Sequence, residues 1–313
     1  MTALLDVKSV SKEFSSGGIL SREKVQAVVD VSFTLHNDTP EIFTIIGESG
    51  SGKTTLARMI LGLEVPTNGD ILFDNQGARE RRGRAARLGF MKRVQPVFQN
   101  PFEAFNPLKQ VDRYLVSTAR ALLGATTEDE IDKAMDDALQ KVGLSLAEIK
   151  GRYAHELSGG QLQRVAIARA LIPNPALLIA DEPVSMVDAS LRMSIVNLLR
   201  DLRDTYGVSV IYITHDLATA YYISDRLIIM QRGHVVEMGP ARAVLEAPEH
   251  PYSQLLRASI LSVDDAGMGN LKRADRTLAE AAWNDTGTGQ LVERPDGRMV
   301  RRATKSTPLT ADA

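Results

Sequence analysis

The chain has 313 residues, 44% hydrophobic and 24% charged, enough apolar material for one large domain or two modest ones. A formal net charge of -2 gives no electrostatic argument for a nucleic-acid partner. The absence of cysteine excludes disulfides, thiolate metal sites and cysteine nucleophiles, and it fits a reducing compartment.

The N-terminal stretch Met1–Phe14 carries Asp6, Lys8, Lys12 and Glu13, so it lacks the apolar core of a secretory leader. The next apolar residues, Leu4–Val10 and Val28–Leu35, predict strands, with Gly17–Lys24 as an exposed loop between them. Ile42–Ile46 is a short β-branched run leading into a glycine loop, and Lys53–Leu63 predicts a helix stopped by Pro66 and a turn at Asn68-Gly69. Asp70–Phe73 and Val94–Phe98 predict two more strands. The arginines between them, Arg79, Arg81, Arg82, Arg84 and Arg87, are expected in a solvated charged loop; a nucleic-acid patch is the alternative.

From Val111 to Lys141 the pattern turns helical, with Thr127 and Glu130 spaced as a capping box. A further helix is predicted from Ser158 to about Leu171. Strand and helix then alternate: strand Ala176–Ala180, helix Ser190–Thr205, strand Val208–Thr214, helix Asp216–Ile223, strand Arg226–Met230. That alternation predicts an α/β fold with a mainly parallel sheet, interrupted by a helical subdomain at about 101–160. The longest apolar runs, Ala176–Ala180 and Val208–Ile213, fall far short of the roughly 20 residues that span a bilayer. The chain is expected to be soluble, with any membrane role supplied by a partner. Order is expected to weaken after about Ser262, where Gly267 and Gly269 break the run, with a small hairpin over Gln290–Arg302 around Pro295-Asp296-Gly297.

The chemistry-bearing residues begin with Gly47-Glu48-Ser49-Gly50-Ser51-Gly52-Lys53-Thr54-Thr55, which matches the P-loop pattern between a strand and a helix. Its glycines let successive N–H groups turn inward as an anion nest, and the helix adds its positive end. Lys53 is placed to reach the β- and γ-phosphates of a nucleoside triphosphate, and Thr54 to ligate Mg²⁺. Leu177–Glu182 is an apolar strand ending in two carboxylates. Beside a P-loop, Asp181 is expected to hold Mg²⁺ and Glu182 to orient and deprotonate the attacking water. Ser158-Gly159-Gly160-Gln161 has the form of a capped helix start, and its two glycines open it to a phosphate.

With Leu157 before it, this last stretch resembles the signature of the ABC transporter family of ATPases, in which it contacts nucleotide held by the other subunit's P-loop. The resemblance covers roughly residues 4 to 260 and implies further residues. Gln99 resembles the glutamine that senses Mg²⁺ and γ-phosphate. Ser185-Met186-Val187-Asp188 resembles the loop that crosses the dimer interface, and His215 the switch histidine on the γ-phosphate. Phe14 matches the aromatic that stacks on adenine, although a core role fits it equally. His36, His155, His234 and His250 are expected to be structural or surface residues.

Finer marks resemble the oligopeptide/dipeptide importer branch, which also serves nickel, glutathione, opines and some oligosaccharides. They are Phe98-Gln99-Asn100-Pro101 with Phe105-Asn106-Pro107, Ser185–Ser190, and Pro248-Glu249-His250-Pro251-Tyr252-Ser253 with Leu255-Leu256. Many members of that branch carry tail cysteines, some implicated in an iron–sulfur cluster; with none here, no cluster is expected. The resemblance implies a P-loop core with a parallel sheet, an N-terminal antiparallel β part, the helical subdomain, and a C-terminal extension over 261–313. It implies ATP hydrolysis with Mg²⁺ by two ATPase halves head to tail, because one chain carries one P-loop and one signature. The second half is the same or a homologous chain. The resemblance further implies permease subunits docked near Gln99, an extracytoplasmic solute-binding protein, no nucleic acid, and a place at the cytoplasmic face of the inner membrane.

Export is the alternative within transport. A soluble ABC ATPase acting on nucleic acid or ribosomes commonly carries two cassettes or a long coiled coil, and the chain has neither. A scaffolding ABC-like protein would lack Lys53, Glu182 or His215, and all three are present.

Overall fold

The computed structural model describes residues 2–16, 23–77, 83–100, 104–185, 187–264, 273–285 and 287–302. In chain order the elements are β1 (Ala3–Ser16), β2 (Glu23–His36), β3 (Ile42–Ile46), α1 (Lys53–Ile60), β4 (Asn68–Phe73), β5 (Gln76–Gly77), α2 (Arg84–Arg93) and β6 (Val94–Val97). Then follow α3 (Asp112–Thr118), continued by a π-helical turn Ala119–Leu123, α4 (Glu128–Lys141), α5 (Leu146–Ile149), α6 (Gly159–Leu171), β7 (Leu177–Asp181), α7 (Ala189–Tyr206), β8 (Ser209–Thr214), α8 (Leu217–Ile223) and β9 (Arg226–Gln231). The remainder is β10 (His234–Pro240), α9 (Ala241–Glu246), α10 (Pro251–Asp264), α11 (Arg273–Asn284), β11 (Leu291–Glu293) and β12 (Met299–Arg301).

Two sheets carry the fold. An antiparallel one has the order β2-β1-β4-β5, and a larger one has the order β11-β12-β10-β9-β3-β8-β7-β6. The strands from β9 to β6 are parallel, whereas β10 and the β11–β12 hairpin run antiparallel at one edge. Every residue of β3 and of β8 is buried, as a strand covered on both faces requires. Because side chains alternate along a strand, neighbours feed different cores. Ile42, Val210 and Tyr212 pack with α4, α6 and α7, while Phe43, Ile45, Ile211 and Ile213 pack with α1 and the antiparallel sheet. The helical block between β6 and α6 is closed at its base by a bridge between Gln110 and Tyr153, yet its Leu115, Ile131, Met135 and Ile149 belong to the same core as α6 and α7.

Local chemistry accounts for several boundaries. Thr127 accepts from the Glu130 N–H and the Glu130 carboxylate accepts from Thr127's, so α4 starts on the predicted capping box. The first helix ends at Ile60, earlier than expected, because Gly62 takes φ +70° and the Leu63 N–H turns back to the Arg58 carbonyl.

Two expectations are corrected. Asn68-Gly69 is not a free turn but the start of β4, a bulged site where a Cβ on Gly69 would lie 2.3 Å from the Ser9 carbonyl oxygen. Arg84 and Arg87 are on helix α2, not in a loop; α2 buries none of its residues, so a charged sequence can form it as readily as an apolar one. Beyond Ser262 the described residues include the end of α10, helix α11 and the β11–β12 hairpin. Most of the loop Gly17–Lys24 and the glycines at 267 and 269 lie outside the described residues, as do Arg79, Arg81, Arg82, Pro101 and Met186.

Candidate functional site

The parallel register brings the site together. Ile46 of β3 lies opposite Thr214 of β8, Ile213 of β8 opposite Asp181 of β7, and Ala180 of β7 opposite Val97 of β6. Four strands therefore end level along one edge, the edge at which such sheets bind ligands. The glycine loop follows Ile46, His215 follows Thr214, Glu182 follows Asp181, and Gln99 stands two residues beyond Val97.

The loop Gly47–Thr55 is wedged tightly between flanking strands. Gly52 has φ +103°, and a Cβ there would lie 2.2 Å from the Ala27 carbonyl oxygen of β2. A Cβ on Gly47 would lie 2.3 Å from the Met230 carbonyl oxygen of β9. Within the loop, the buried Lys53 ammonium donates to the carbonyls of Gly47 (2.7 Å) and Glu48 (2.8 Å). Burial pulls this ammonium below its ordinary pKa, opposed by the carboxylates of Glu182, Asp181 and Glu48. The Asp181 carboxyl is pushed up by burial, against a hydrogen bond from Thr54 and the charge of Lys53. Thr54 and Asp181 thus meet as an oxygen pair at the foot of the loop.

Two of the predicted residues, Gln99 and His215, converge on the carboxylate of a third, Glu182. Glu182 Oε2 accepts from Gln99 Nε2 at 2.9 Å, and Glu182 Oε1 lies 3.1 Å from His215 Nδ1. Glu182 itself holds φ +47°, a strained conformation for a non-glycine residue, fixed by its N–H donating to Ile213 O at 2.9 Å. His215 is on a turn braced by Asp216, which caps α8 through the N–H groups of Ala218 and Thr219 and pairs with Arg192 at 3.0 Å.

The predicted signature lies apart from this cluster. Ser158 and Gln161 satisfy each other as a capping box, Ser158 Oγ accepting from the Gln161 N–H and Gln161 Oε1 from the Ser158 N–H. Nothing lies within 4 Å of a Cβ on Gly159, and one on Gly160 would lie 2.8 Å from the side chain of Leu191, whose backbone N–H donates to the Asp188 carbonyl. Ser158 and Asp188 are exposed, and the hydrogen bonds of Ser158–Gln161 leave the P-loop of their own chain unengaged. Phe14, on β1 opposite Val25, is 39% exposed and has the Lys12 ammonium 4.9 Å from its ring centre. No group of three or more His, Asp or Glu among the described residues could hold a metal by itself.

One residue was missed as a site residue. Tyr252 accepts a hydrogen bond from the Glu48 N–H at 3.0 Å. A lone tyrosine 204 positions from the loop gives no signal of this; only the fold brings the two together.

A strand, glycine loop and helix, with a second strand ending in Asp181-Glu182, define a P-loop ATPase. The sequence model of the ABC transporter family matches residues 28–185. The chain is 37% identical over 257 residues to the oligopeptide transport ATP-binding protein OppF of Bacillus subtilis, covering 82% of each chain. It is 37% identical over 260 residues to the oligopeptide transport ATP-binding protein AmiF of Streptococcus pneumoniae, covering 82% and 81%. Its fold matches the dimeric ATP-binding cassette MJ0796 in a post-hydrolysis state with ADP and Pi (TM-score 0.66, 29% identity, 76% of this chain and 99% of that one). It also matches cbiO1 of Clostridium perfringens, part of the cbiONQ transporter complex (TM-score 0.68, 27% identity, 85% and 100%). The chain belongs to the ABC transporter family, as an ATP-binding cassette subunit. No helix among the described residues is long and apolar enough to cross a membrane.

Proposed function

We propose that the chain powers a peptide importer by hydrolysing MgATP in a head-to-tail pair of cassettes. The observation that carries the reading is the convergence of Gln99 and His215 on Glu182 beside a P-loop whose lysine is already seated. The names of its relatives, oligopeptide transport ATP-binding proteins, support peptides as the solute.

In this reading Gly47, Glu48, Ser49, Gly50, Ser51, Gly52, Lys53, Thr54 and Thr55 cradle the phosphates. The oxygen donors of Thr54, Asp181 and Gln99 suit Mg²⁺, a hard cation that takes few protein ligands alongside phosphate and water. When bound, Mg²⁺ supplies charge neutralisation of the phosphates. Glu182 accepts the proton of the attacking water, and the hydrogen bond from Gln99 aims its carboxylate without neutralising it. His215, 62% exposed, and Gln99 report the γ-phosphate to it. Phe14 receives the adenine. Ser158, Gly159, Gly160 and Gln161, with Asp188, complete the site of a second cassette, identical or homologous, which explains why they leave their own P-loop unengaged.

Residues 4–260 form the cassette, with a helical subdomain at about 101–160, and 261–313 form an extension. A groove of about 600 Å³ between the cassette core and the helical subdomain is lined by Leu61, Leu63, Val65, Phe90, Phe98 and Leu122. Leu63, Val65 and Phe98 are each more than half exposed, and Phe98 precedes Gln99. A permease segment seated in that groove would move with Gln99, which couples ATP binding to permease access. The chain is then peripheral at the cytoplasmic membrane face, with a solute-binding protein outside.

The test is reconstitution with the permeases encoded beside it, the second cassette and the cognate binding protein. ATP turnover should rise when the binding protein carries a peptide. Stimulation by a nickel, opine or oligosaccharide ligand instead, or ATP-driven efflux, would sink the peptide-import reading.

A further inference from the structure

The P-loop makes contacts that hydrolysis does not use. The Glu48 N–H, which donates to the Tyr252 hydroxyl, belongs to the same peptide unit as the Gly47 carbonyl, which accepts from Lys53 Nζ. In a trans peptide these two groups point in opposite directions. A single plane is therefore gripped on one side by the ammonium and on the other by the phenol. Donation by the N–H polarises the carbonyl and strengthens its bond to the ammonium. Tyr252 is 3% exposed, and burial pushes its phenol up to about 12, so it stays a neutral partner at working pH.

Tyr252 is itself held from the tail. Its N–H donates to His250 Nδ1 at 3.2 Å, and His250 Nε2 lies 2.9 Å from Asp285 Oδ2. With Nδ1 accepting, the proton is on Nε2 and is donated to Asp285. Both side chains are buried, at 0% and 1% exposure. A second arm runs from the same corner. Arg232 donates to the carbonyls of Trp283 (3.0 Å) and Asp285 (3.4 Å), and the neighbouring Gly233 N–H donates to Ser51 O at 3.0 Å. One corner, Ala282–Asp285, thus reaches the P-loop at two points, the Glu48 N–H and the Ser51 carbonyl.

We propose that Tyr252 is a positioning residue for Lys53 and that the C-terminal corner Ala282–Asp285 acts through it to keep the P-loop in its phosphate-ready shape. Nucleotide affinity is then set in part by a segment outside the residues that touch nucleotide. This rests on the ATP-site reading above.

The experiment uses the full chain, titrated with a fluorescent ATP analogue and Mg²⁺, and turnover at saturating ATP in the assembled complex. Tyr252→Phe keeps the ring and removes one acceptor, so affinity should fall about fivefold. Turnover at saturation should stay within about twofold, because Glu182 and its contacts with Gln99 and His215 are untouched. Asp285→Asn should weaken binding in the same direction. The double variant should be no weaker than the weaker single one, since both act through one path. Unchanged affinity in Tyr252→Phe, or singles whose effects multiply in the double, overturns the inference. Lys53→Ala is measured alongside. If it loses binding while Tyr252→Phe binds normally, only this inference falls; if it binds normally, the ATP-site reading falls and takes the inference with it.

Discussion

Replacing Glu182 by glutamine separates holding ATP from cleaving it. The carboxylate accepts a hydrogen bond from Gln99 at 2.9 Å and lies 3.1 Å from His215 Nδ1. An amide of the same shape offers one acceptor and one donor. His215 keeps its acceptor, and the Gln99 amide turns to present its oxygen to the new donor. Both contacts survive in weaker, uncharged form, so folding stability should change by no more than about 1 kcal/mol. The P-loop contacts are untouched, so ATP affinity should stay within about twofold. The lost function is proton acceptance, worth about 10²- to 10⁴-fold in rate, or about 3 to 5 kcal/mol of barrier. Phosphate release by the assembled complex should fall by that factor. Size-exclusion chromatography with ATP should show an accumulated dimer, because the closed pair no longer resolves. Turnover within about tenfold of the parent would refute the general-base role and leave Glu182 as a positioning group.

Three other outcomes follow from the same geometry. Lys53→Ala strips the donor from two carbonyls, Gly47 and Glu48, as well as from the phosphates; calorimetry should detect no ATP binding, together with a stability loss of about 1–3 kcal/mol. Ser158→Arg removes a helix cap, costing about 1 kcal/mol. It should leave ATP binding to the isolated chain intact while abolishing dimer formation and turnover, and retained turnover would place the signature outside the composite site. Acid should loosen the tail. Burial holds His250 below its ordinary pKa against the opposing pull of Asp285, with Arg301 adding to the depression and Glu237 accepting from the His250 N–H. His234, facing Arg301, Asp285 and Asp30, is depressed in the same way. Their folded pKa values lie below the unfolded ones, so unfolding takes up protons and stability is lost as pH falls below about 6.5. Buried Glu237 is shifted upward and acts in the opposite sense, so the comparison must be with a His250→Gln variant. The thermal midpoint should fall less between pH 7.5 and 5.5 in that variant than in the parent, and an equal fall would count against His250.

Much of this was legible in the residues because local rules and tertiary demands agree. The run Ile42–Ile46 is a strand by composition and a central parallel strand by burial, so β3 has the expected limits. The Thr127 and Ser158 capping boxes predict helix starts by a mechanism confined to four residues. What escaped is set by distant atoms. Gly69 looks like a turn residue and has a turn residue's φ, but its purpose is close approach to the Ser9 carbonyl, which no local pattern encodes. The helix Arg84–Arg93 buries none of its residues, so no core-facing stripe announces it. His250 reads from the sequence as a structural or a surface residue and is buried against Asp285; its connection through Tyr252 to the P-loop needed a contact across 204 positions.

The crowding around Gly47 and Gly52 also orders events during synthesis. The loop is finished early in the chain, yet the surfaces that shape it come from Ala27 before it and from Met230 and Gly233 long after it. Strand β3 stands between β8 and β9, so its second edge stays open until residue 231 has left the ribosome. At about 5–20 residues per second, the nascent P-loop waits on the order of ten seconds or more for its far wall. During that interval β3 is an apolar strand with an unpaired edge, the kind of surface that chaperones shield.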